Sequence, residues 1–233
     1  MKKLIFFILL IVNTSAFCQK PVINKLSQLE KDNGWALLFN GENLDNWKTY
    51  NGNEITGWKI IDGILSNSGI GSDHGGDIIT KNKYANFELY AEWKIAPESN
   101  SGIFFHVKEE KGKAIYESGP EYQLLDDKGW PTKLEAHQYS GANYAMQAPE
   151  NATVKPIDEW NTTRIIVKGQ KVKHYLNGNL VVEYDLWSDD WVARKKAGKW
   201  KNSPNYGMSK TGHIGLQDHG GLTQFRNMKI KEL

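Results

Sequence analysis

Cysteine, long apolar runs and net charge are all scarce in this chain. Its 233 residues include 1 Cys, and 29 Lys+Arg stand against 27 Asp+Glu, a formal net charge of +2. With so little excess charge and no basic run, nucleic acid and anionic membrane surfaces are excluded as partners. The longest apolar run, Leu4 to Val12, is too short to span a bilayer, and no later stretch is longer. There is no Gly-x-Ser-x-Gly elbow, no phosphate-binding glycine loop ahead of a helix and no dinucleotide fingerprint. No His, Asp or Glu pair has the tight spacing of a zinc site.

That early apolar run follows Lys2 and Lys3 and precedes Ser15-Ala16-Phe17-Cys18, the order of a secretory signal peptide. Residues 1–18 are therefore expected to be removed, leaving an N-terminal extension over 19–33 and one domain over 34–233. The mature chain is expected to be exported to a bacterial periplasm. Acylation of Cys18 is disfavoured, because Phe17 stands where a lipoprotein site takes a small residue. Cleavage after Cys18 leaves no thiol, so the core must stabilise the fold without disulfides. Loss of Lys2 and Lys3 also leaves 27 basic residues against 27 acidic ones.

What the chain does have is aromatic side chains, 9 Trp, 10 Tyr and 8 Phe, more than a core of this size ordinarily uses. Some of those rings are expected to face a ligand. Ile23, Leu26 and Leu29 fall at helical spacing, which predicts a short helix over residues 22–31. Beyond it the apolar period becomes two. Phe87, Leu89, Ala91, Trp93 and Ile95 alternate with polar residues, and Asn40-Gly41, Asn51-Gly52, Asp62-Gly63 and Asn177-Gly178 punctuate the chain as hairpin turns would. Residues 164–184 read as a three-strand meander, and further strands are predicted at 101–107, 121–125, 211–217 and 222–231. More than ten short strands mean an all-β sandwich or barrel. Ser188 to Gly198 stands apart as a helix, with a capping Ser, early acids, late cations and a terminal Gly.

The sharpest local feature is Glu121-Tyr-Gln-Leu-Leu-Asp126. Alternation places Glu121 and Gln123 on one face, and a bulge before Asp126 would bring that carboxyl to the same side. The spacing resembles that of laminarinase-type β-glucanases, which carry acids on a concave sheet. A second feature is His213-Ile-Gly-Leu-Gln-Asp-His219-Gly-Gly221, where Gln217 shares a face with His213 and His219 ends at a turn. Strand alternation puts His106 on an open face, opposite Ile103, Phe105 and Val107. His137 and Tyr144 lie in a Gly-containing loop, where each would cap a cleft or fasten the loop. His74 reads as part of a glycine-rich connection and His174, near a turn, as solvated.

Several motifs occur in one order: Gly34-Trp-Ala-Leu-Leu-Phe-Asn-Gly41, Leu44-Asp-Asn-Trp47, Trp58 to Leu65, Asn100-Ser-Gly-Ile-Phe104, Glu121 to Asp126, Glu159-Trp-Asn161, Leu176-Asn-Gly178, Gly212 to His219 and Phe225-Arg-Asn227. Together they resemble the 3-keto-disaccharide hydrolase family. The resemblance implies a concanavalin A-like jelly-roll β-sandwich of two antiparallel sheets with one or two short helices, acting on sugars oxidised at C3. It further implies a sugar 3-oxidoreductase upstream. A C3 ketone acidifies the hydrogen on C2, so a base can remove it and the group at C1 can leave, with water adding afterwards; the paired acids of ordinary glycosidases then become optional. In that scheme Glu121 is the base. His219 or His106 supports the enolate oxygen, a task a divalent cation could share, and no other cofactor is implied. Asp126 or His137 assists the leaving oxygen, while Gln123, Gln217, Tyr144 and a Trp hold the sugar. Many family members carry Arg where this chain has His106, whose imidazole lacks the bidentate fork of guanidinium. Two other functions fit the same residues: a noncatalytic carbohydrate-binding module, and a conventional glycosidase using Glu121 and Asp126 as its acid pair.

Overall fold

A computed structural model describes residues 22–52, 54–67 and 76–233. The proposed signal peptide and His74 lie outside the described residues. The described residues form thirteen strands, numbered in chain order. The first five are β1 (Trp35–Leu37), β2 (Trp47–Thr49), β3 (Trp58–Ile61), β4 (Ile64–Asn67) and β5 (Ile78–Thr80). Next come β6 (Phe87–Ile95), β7 (Asn100–Val107) and β8 (Glu121–Leu125). The meander is β9 (Asn161–Lys168), β10 (Lys171–Leu176) and β11 (Asn179–Asp185), and the chain closes with β12 (His213–Leu216) and β13 (Thr223–Glu232).

The strands pair into two antiparallel sheets. One runs β11-β10-β9-β6-β13-β4-β3, with β1 also on β13; the other runs β2-β5-β12-β7-β8. Alternation in β6 is strict, so Phe87, Leu89, Ala91, Trp93 and Ile95 are buried, and they share one core with Ile103, Phe105, Tyr122, Leu124, Ile214 and Leu216 of the smaller sheet. Apolar residues of period two on both inner faces are what drive the sheets together, and the result is the jelly-roll sandwich. Asp62-Gly63 and Asn177-Gly178 have positive φ at both positions and make the tight β3–β4 and β10–β11 turns. The other two pairs are not hairpins. Asn40 and Asn51 lie in connections that cross between the sheets, and Asn40 Oδ1 accepts from the Glu42 and Asn43 amides.

The N-terminal helix is shorter than its apolar spacing predicts. Helix α1 spans Gln28–Asp32 behind a Ser27–Glu30 capping box, and Leu29 is 71% exposed. Asn24 explains the difference: it is buried in a left-handed conformation and exchanges two hydrogen bonds with Asn227, at a bulge of β13, so the backbone there cannot be helical. The second helix, α2 (Asp189–Ala197), starts at Ser188, whose Oγ accepts the Trp191 amide at 3.2 Å, and ends at Gly198 as expected.

His174 is not solvated. It points inward from β10 and is fully buried, with Tyr122 at 4.9 Å and Tyr184 at 5.6 Å between ring centroids. Its Nδ1 lies 3.0 Å from the Gly141 carbonyl, and burial pulls its pKa down to about 4. A folded-state pKa below the unfolded value means the unfolded chain binds the extra proton. Stability is therefore full above pH 6.5 and lost as pH falls through 4, by about 3 kcal/mol from this group. His174→Gln is expected to flatten that loss, as read from urea unfolding of both proteins at pH 7 and pH 4. Parallel pH slopes would contradict it.

Candidate active site

The outer face of the smaller sheet carries the site, and strand register places its residues. On β7 and β8 the pairs Gly102↔Gln123 and Phe104↔Glu121 face outward, whereas Ile103↔Tyr122 faces the core. Beside them Gly215 pairs with Phe104, and the Gln217 amide donates to the Gly102 carbonyl at 3.0 Å. Gln217, Gly102 and Gln123 thus form one row, with Glu121 in the next. Gln123 Nε2 donates to Asn100 Oδ1 at 3.1 Å, which fixes both amides. Over this row opens a hollow of about 200 Å³ lined by Asn100, Tyr116, Glu121, Gln123, Tyr144, Lys199, Gln217 and His219.

Glu121 lies at the bottom of the hollow. It is 4% exposed, and a Cβ on Gly102 would sit 2.3 Å from its Oε1, so the carboxyl rests directly on the bare glycine backbone. Burial raises its pKa to about 8; the nearby Lys199 ammonium pulls the other way and Asp77 adds to the rise. Proton affinity of this kind suits a carboxylate that abstracts a proton from carbon near neutral pH. Glu121 is the sole carboxyl among the described residues that line the hollow.

Of the residues singled out in the sequence, Glu121, Gln123, Tyr144, Gln217 and His219 are brought together here. Asp126 is not. The β7–β8 pairing runs without a bulge through Asn100↔Leu125, and the Asp126 carboxylate accepts the backbone amides of Glu98 and Gly129, each at 2.9 Å. It fastens two loops instead of reaching the hollow. His106 is also elsewhere. Between Phe104 and Val107 strand β7 carries one residue more than β12 across from it, and His106 takes φ 51°. That bulge reverses the alternation, so Phe104 and Val107 share the outer cluster, whereas His106 is packed 5.5 Å from Phe105 and 6.1 Å from Phe87 with Nε2 on the Ala85 carbonyl. His137 fastens its loop: it pairs with Glu135, and its carbonyl accepts the Ala145 amide.

The sequence reading missed Lys199, Asn100 and Tyr116. Lys199 opens a 3₁₀ turn (Lys199–Asn202) directly after α2, among the cations Arg194, Lys195, Lys196 and Lys201 that any helix C-terminus attracts. One signal was legible, the Lys-Trp pair behind Gly198. Trp200 ends a ladder of stacked rings, Tyr184–Trp191 at 5.6 Å, Trp191–Tyr206 at 5.7 Å and Tyr206–Trp200 at 4.2 Å, that binds α2 and the turn to the sandwich. Four of the aromatics are spent in this way. The rings that line the hollow are Tyr116 and Tyr144, with Trp200 buried behind them. Among the described residues no group of three or more His, Cys, Asp or Glu is placed to hold a metal ion, and no helix is long and apolar enough to cross a membrane.

Residues 34–231 match the family model described as a 3-keto-alpha-glucoside-1,2-lyase-like domain. Over 230 residues the chain is 34% identical to a 3-keto-disaccharide hydrolase of Bacteroides thetaiotaomicron, which covers 86% of this chain and 79% of that protein. A crystal structure of a candidate glycosyl hydrolase from Parabacteroides distasonis superposes with a TM-score of 0.86 at 41% identity, over 91% of this chain and 100% of that one. The carbohydrate-binding module CBM66 of Bacillus subtilis, at 14% identity and a TM-score of 0.51 over 80% of this chain and 96% of that one, shares the fold alone. The matched span takes in all thirteen strands but the last residue of β13, and on that ground the chain belongs to the 3-keto-alpha-glucoside-1,2-lyase-like family.

Proposed function

We propose that this protein is an exported enzyme that cleaves the glycosidic bond of 3-keto-glycosides and 3-keto-disaccharides by elimination and rehydration. The observation that carries this reading is a buried carboxyl with raised proton affinity, alone among the lining side chains in being acidic. A conventional glycosidase needs two carboxyls across the scissile bond, and Asp126, the residue that would have been the second, is bound to backbone amides. One base is enough when a ketone at C3 acidifies C2.

Glu121 takes the C2 proton, the electron pair forms the enolate with O3, and the C1–O bond then breaks to leave a 1,2-unsaturated 3-ketone. His219, at the mouth of the hollow, protonates the departing oxygen. Water adds at C1, its released proton going back to His219, and Glu121 returns its proton to C2, so the net result is hydrolysis. In this reading Gln123, Asn100 and Gln217 bind hydroxyls and Tyr144 and Tyr116 meet the ring face; all five line the hollow. At about 200 Å³ the hollow is smaller than the roughly 300–1,000 Å³ of sites for drug-sized ligands. One sugar ring is therefore held inside and the leaving group outside. A sugar 3-oxidoreductase acting upstream would supply the ketone.

The test compares p-nitrophenyl glucoside with its 3-keto form, following p-nitrophenol and the enone absorbance with and without chelator. Release from the keto form alone is expected. Release from the plain glucoside alone would sink the elimination mechanism, and tight binding without turnover would make the protein a carbohydrate-binding module. Because the base must be ionised, kcat/KM is expected to rise about tenfold per pH unit toward pH 8 and then level off. A profile already flat from pH 5 would assign the base elsewhere.

A further inference from the structure

We infer that Lys199 is the electrophile of the reaction, holding the substrate's C3 oxygen while negative charge collects there, and that α2 and the turn after it serve to present this ammonium to the hollow. The inference rests on the reaction proposed above. It also moves the enolate-stabilising task off His106, which is buried in the core.

Three observations place the ammonium. Lys199 Nζ lies 4.5 Å from the ring centroid of Tyr144, 4.8 Å from that of Trp200 and 5.5 Å from that of Tyr116, so three aromatic faces hold it at the wall of the hollow. Its charge is felt at Glu121, which sets the two groups on a common space. Trp200, the next residue, is locked into the ring ladder from Tyr184 and donates Nε1–H to the Tyr144 carbonyl at 3.3 Å, so the Lys199 backbone is anchored through its neighbour. Among the described lining residues Lys199 is the one Lys or Arg. The helix α2 is polar on most of its surface and buries Trp191 alone, which is little reason for an insertion in a β-sandwich unless its end has a use.

Chemically the pairing is balanced. Before proton transfer the ammonium faces the Glu121 carboxylate; after it, the proton is on Glu121 and the negative charge is on O3, still opposite the same ammonium. Charge moves by one sugar-ring bond or two, and the site's total does not change. A fixed cation near both positions lowers the barrier without reorganising. The aromatic cage keeps the ammonium from collapsing onto the carboxylate in the free enzyme.

The experiment uses the full chain with Lys199→Met and Lys199→Arg, reading kcat and KM on a 3-keto-glucoside, exchange of the C2 hydrogen in deuterated water, and the pH profile. Lys199→Met is expected to lose about 10²–10³-fold in kcat and in C2 exchange with KM changed little. Its acid limb should move to higher pH, since the cation that holds the Glu121 pKa down is gone. Lys199→Arg should recover part of both. A Lys199→Met protein with kcat within twofold of the parent and an unmoved acid limb overturns the inference. A parent protein that neither exchanges C2 hydrogen nor cleaves the keto-sugar overturns the underlying reaction instead. Equal thermal unfolding of parent and variants separates these results from loss of fold; should Lys199→Met melt early, Lys199→Gln takes its place, with the same loss in kcat and the same shift of the acid limb expected, and kcat within twofold of the parent with an unmoved limb overturning the inference.

Discussion

Glu121→Gln is expected to abolish turnover of a 3-keto-glucoside and, in the same protein, to raise stability at neutral and alkaline pH. The catalytic loss follows from removing the base, worth about 10²–10⁴-fold or more in rate, while glutamine keeps the shape of the side chain and most of the binding. The gain in stability follows from the buried charge. In the folded protein Glu121 holds its proton up to about pH 8, against 4.5 as its ordinary value, so the folded state binds more protons between those limits. Its contribution is therefore full below pH 4.5 and is lost as pH rises through 8. An uncharged amide escapes that loss, a difference on the order of 3 to 5 kcal/mol at pH 7 to 9. At roughly 2–4 °C per kcal/mol for a chain of this size, the variant should melt several degrees higher at pH 8 and show no such gain at pH 4.5. A variant that melts lower at pH 8, or retains activity, would remove Glu121 from its assigned place. In the proposed reaction catalysis and stability are opposed at this one carboxyl, because desolvation supplies the proton affinity and also its cost.

Gly102→Ala should separate position from fold. Its new methyl group would lie 2.3 Å from Glu121 Oε1 and 2.8 Å from its Cγ, so the side chain must swing out of the hollow. Gly102 is not in the left-handed region, and the colliding atoms belong to a flexible side chain, so the strand itself can stay in place. We expect a melting temperature within a few degrees of the parent, with kcat down about 100-fold from misplacement of the base by an ångström or more. Gly212→Ala is the contrast: there a Cβ meets the His106 carbonyl carbon at 2.3 Å and the Val107 oxygen at 2.6 Å, backbone atoms that cannot yield, and loss of folded protein is expected. Unchanged kcat in Gly102→Ala would mean that the carboxyl does not act from where it lies.

The architecture was legible because it depends on local pattern. Alternation in Phe87 to Ile95, the Asp62-Gly63 and Asn177-Gly178 turns and the Ser188 cap are each satisfied within a few residues, and all of them form as read. Glu121 and Gln123 were legible for the same reason: an i, i+2 pair on a regular strand must share a face. The errors fall where a long-range event intervenes. His106 was assigned by parity, and a bulge set by the pairing of β7 with β12 reversed it. Asp126 needed a bulge that does not form, because the amides of Glu98 and Gly129 satisfy its carboxylate. His174 sits near a turn, as an exposed residue would, yet the inward face of β10 carries it into the core.

From order and type alone, the chain could declare its strands, its turns, the helix behind Ser188 and the carboxyl and amide that share the face of β8, since each of these is decided by neighbours a few bonds away. Only the packed molecule could choose Lys199 from its cluster of cations, seat Glu121 on Gly102 and withdraw the water that sets its proton affinity. Those choices depend on which surfaces are left to meet once two sheets and a ladder of aromatic rings have closed, and no local rule contains that information.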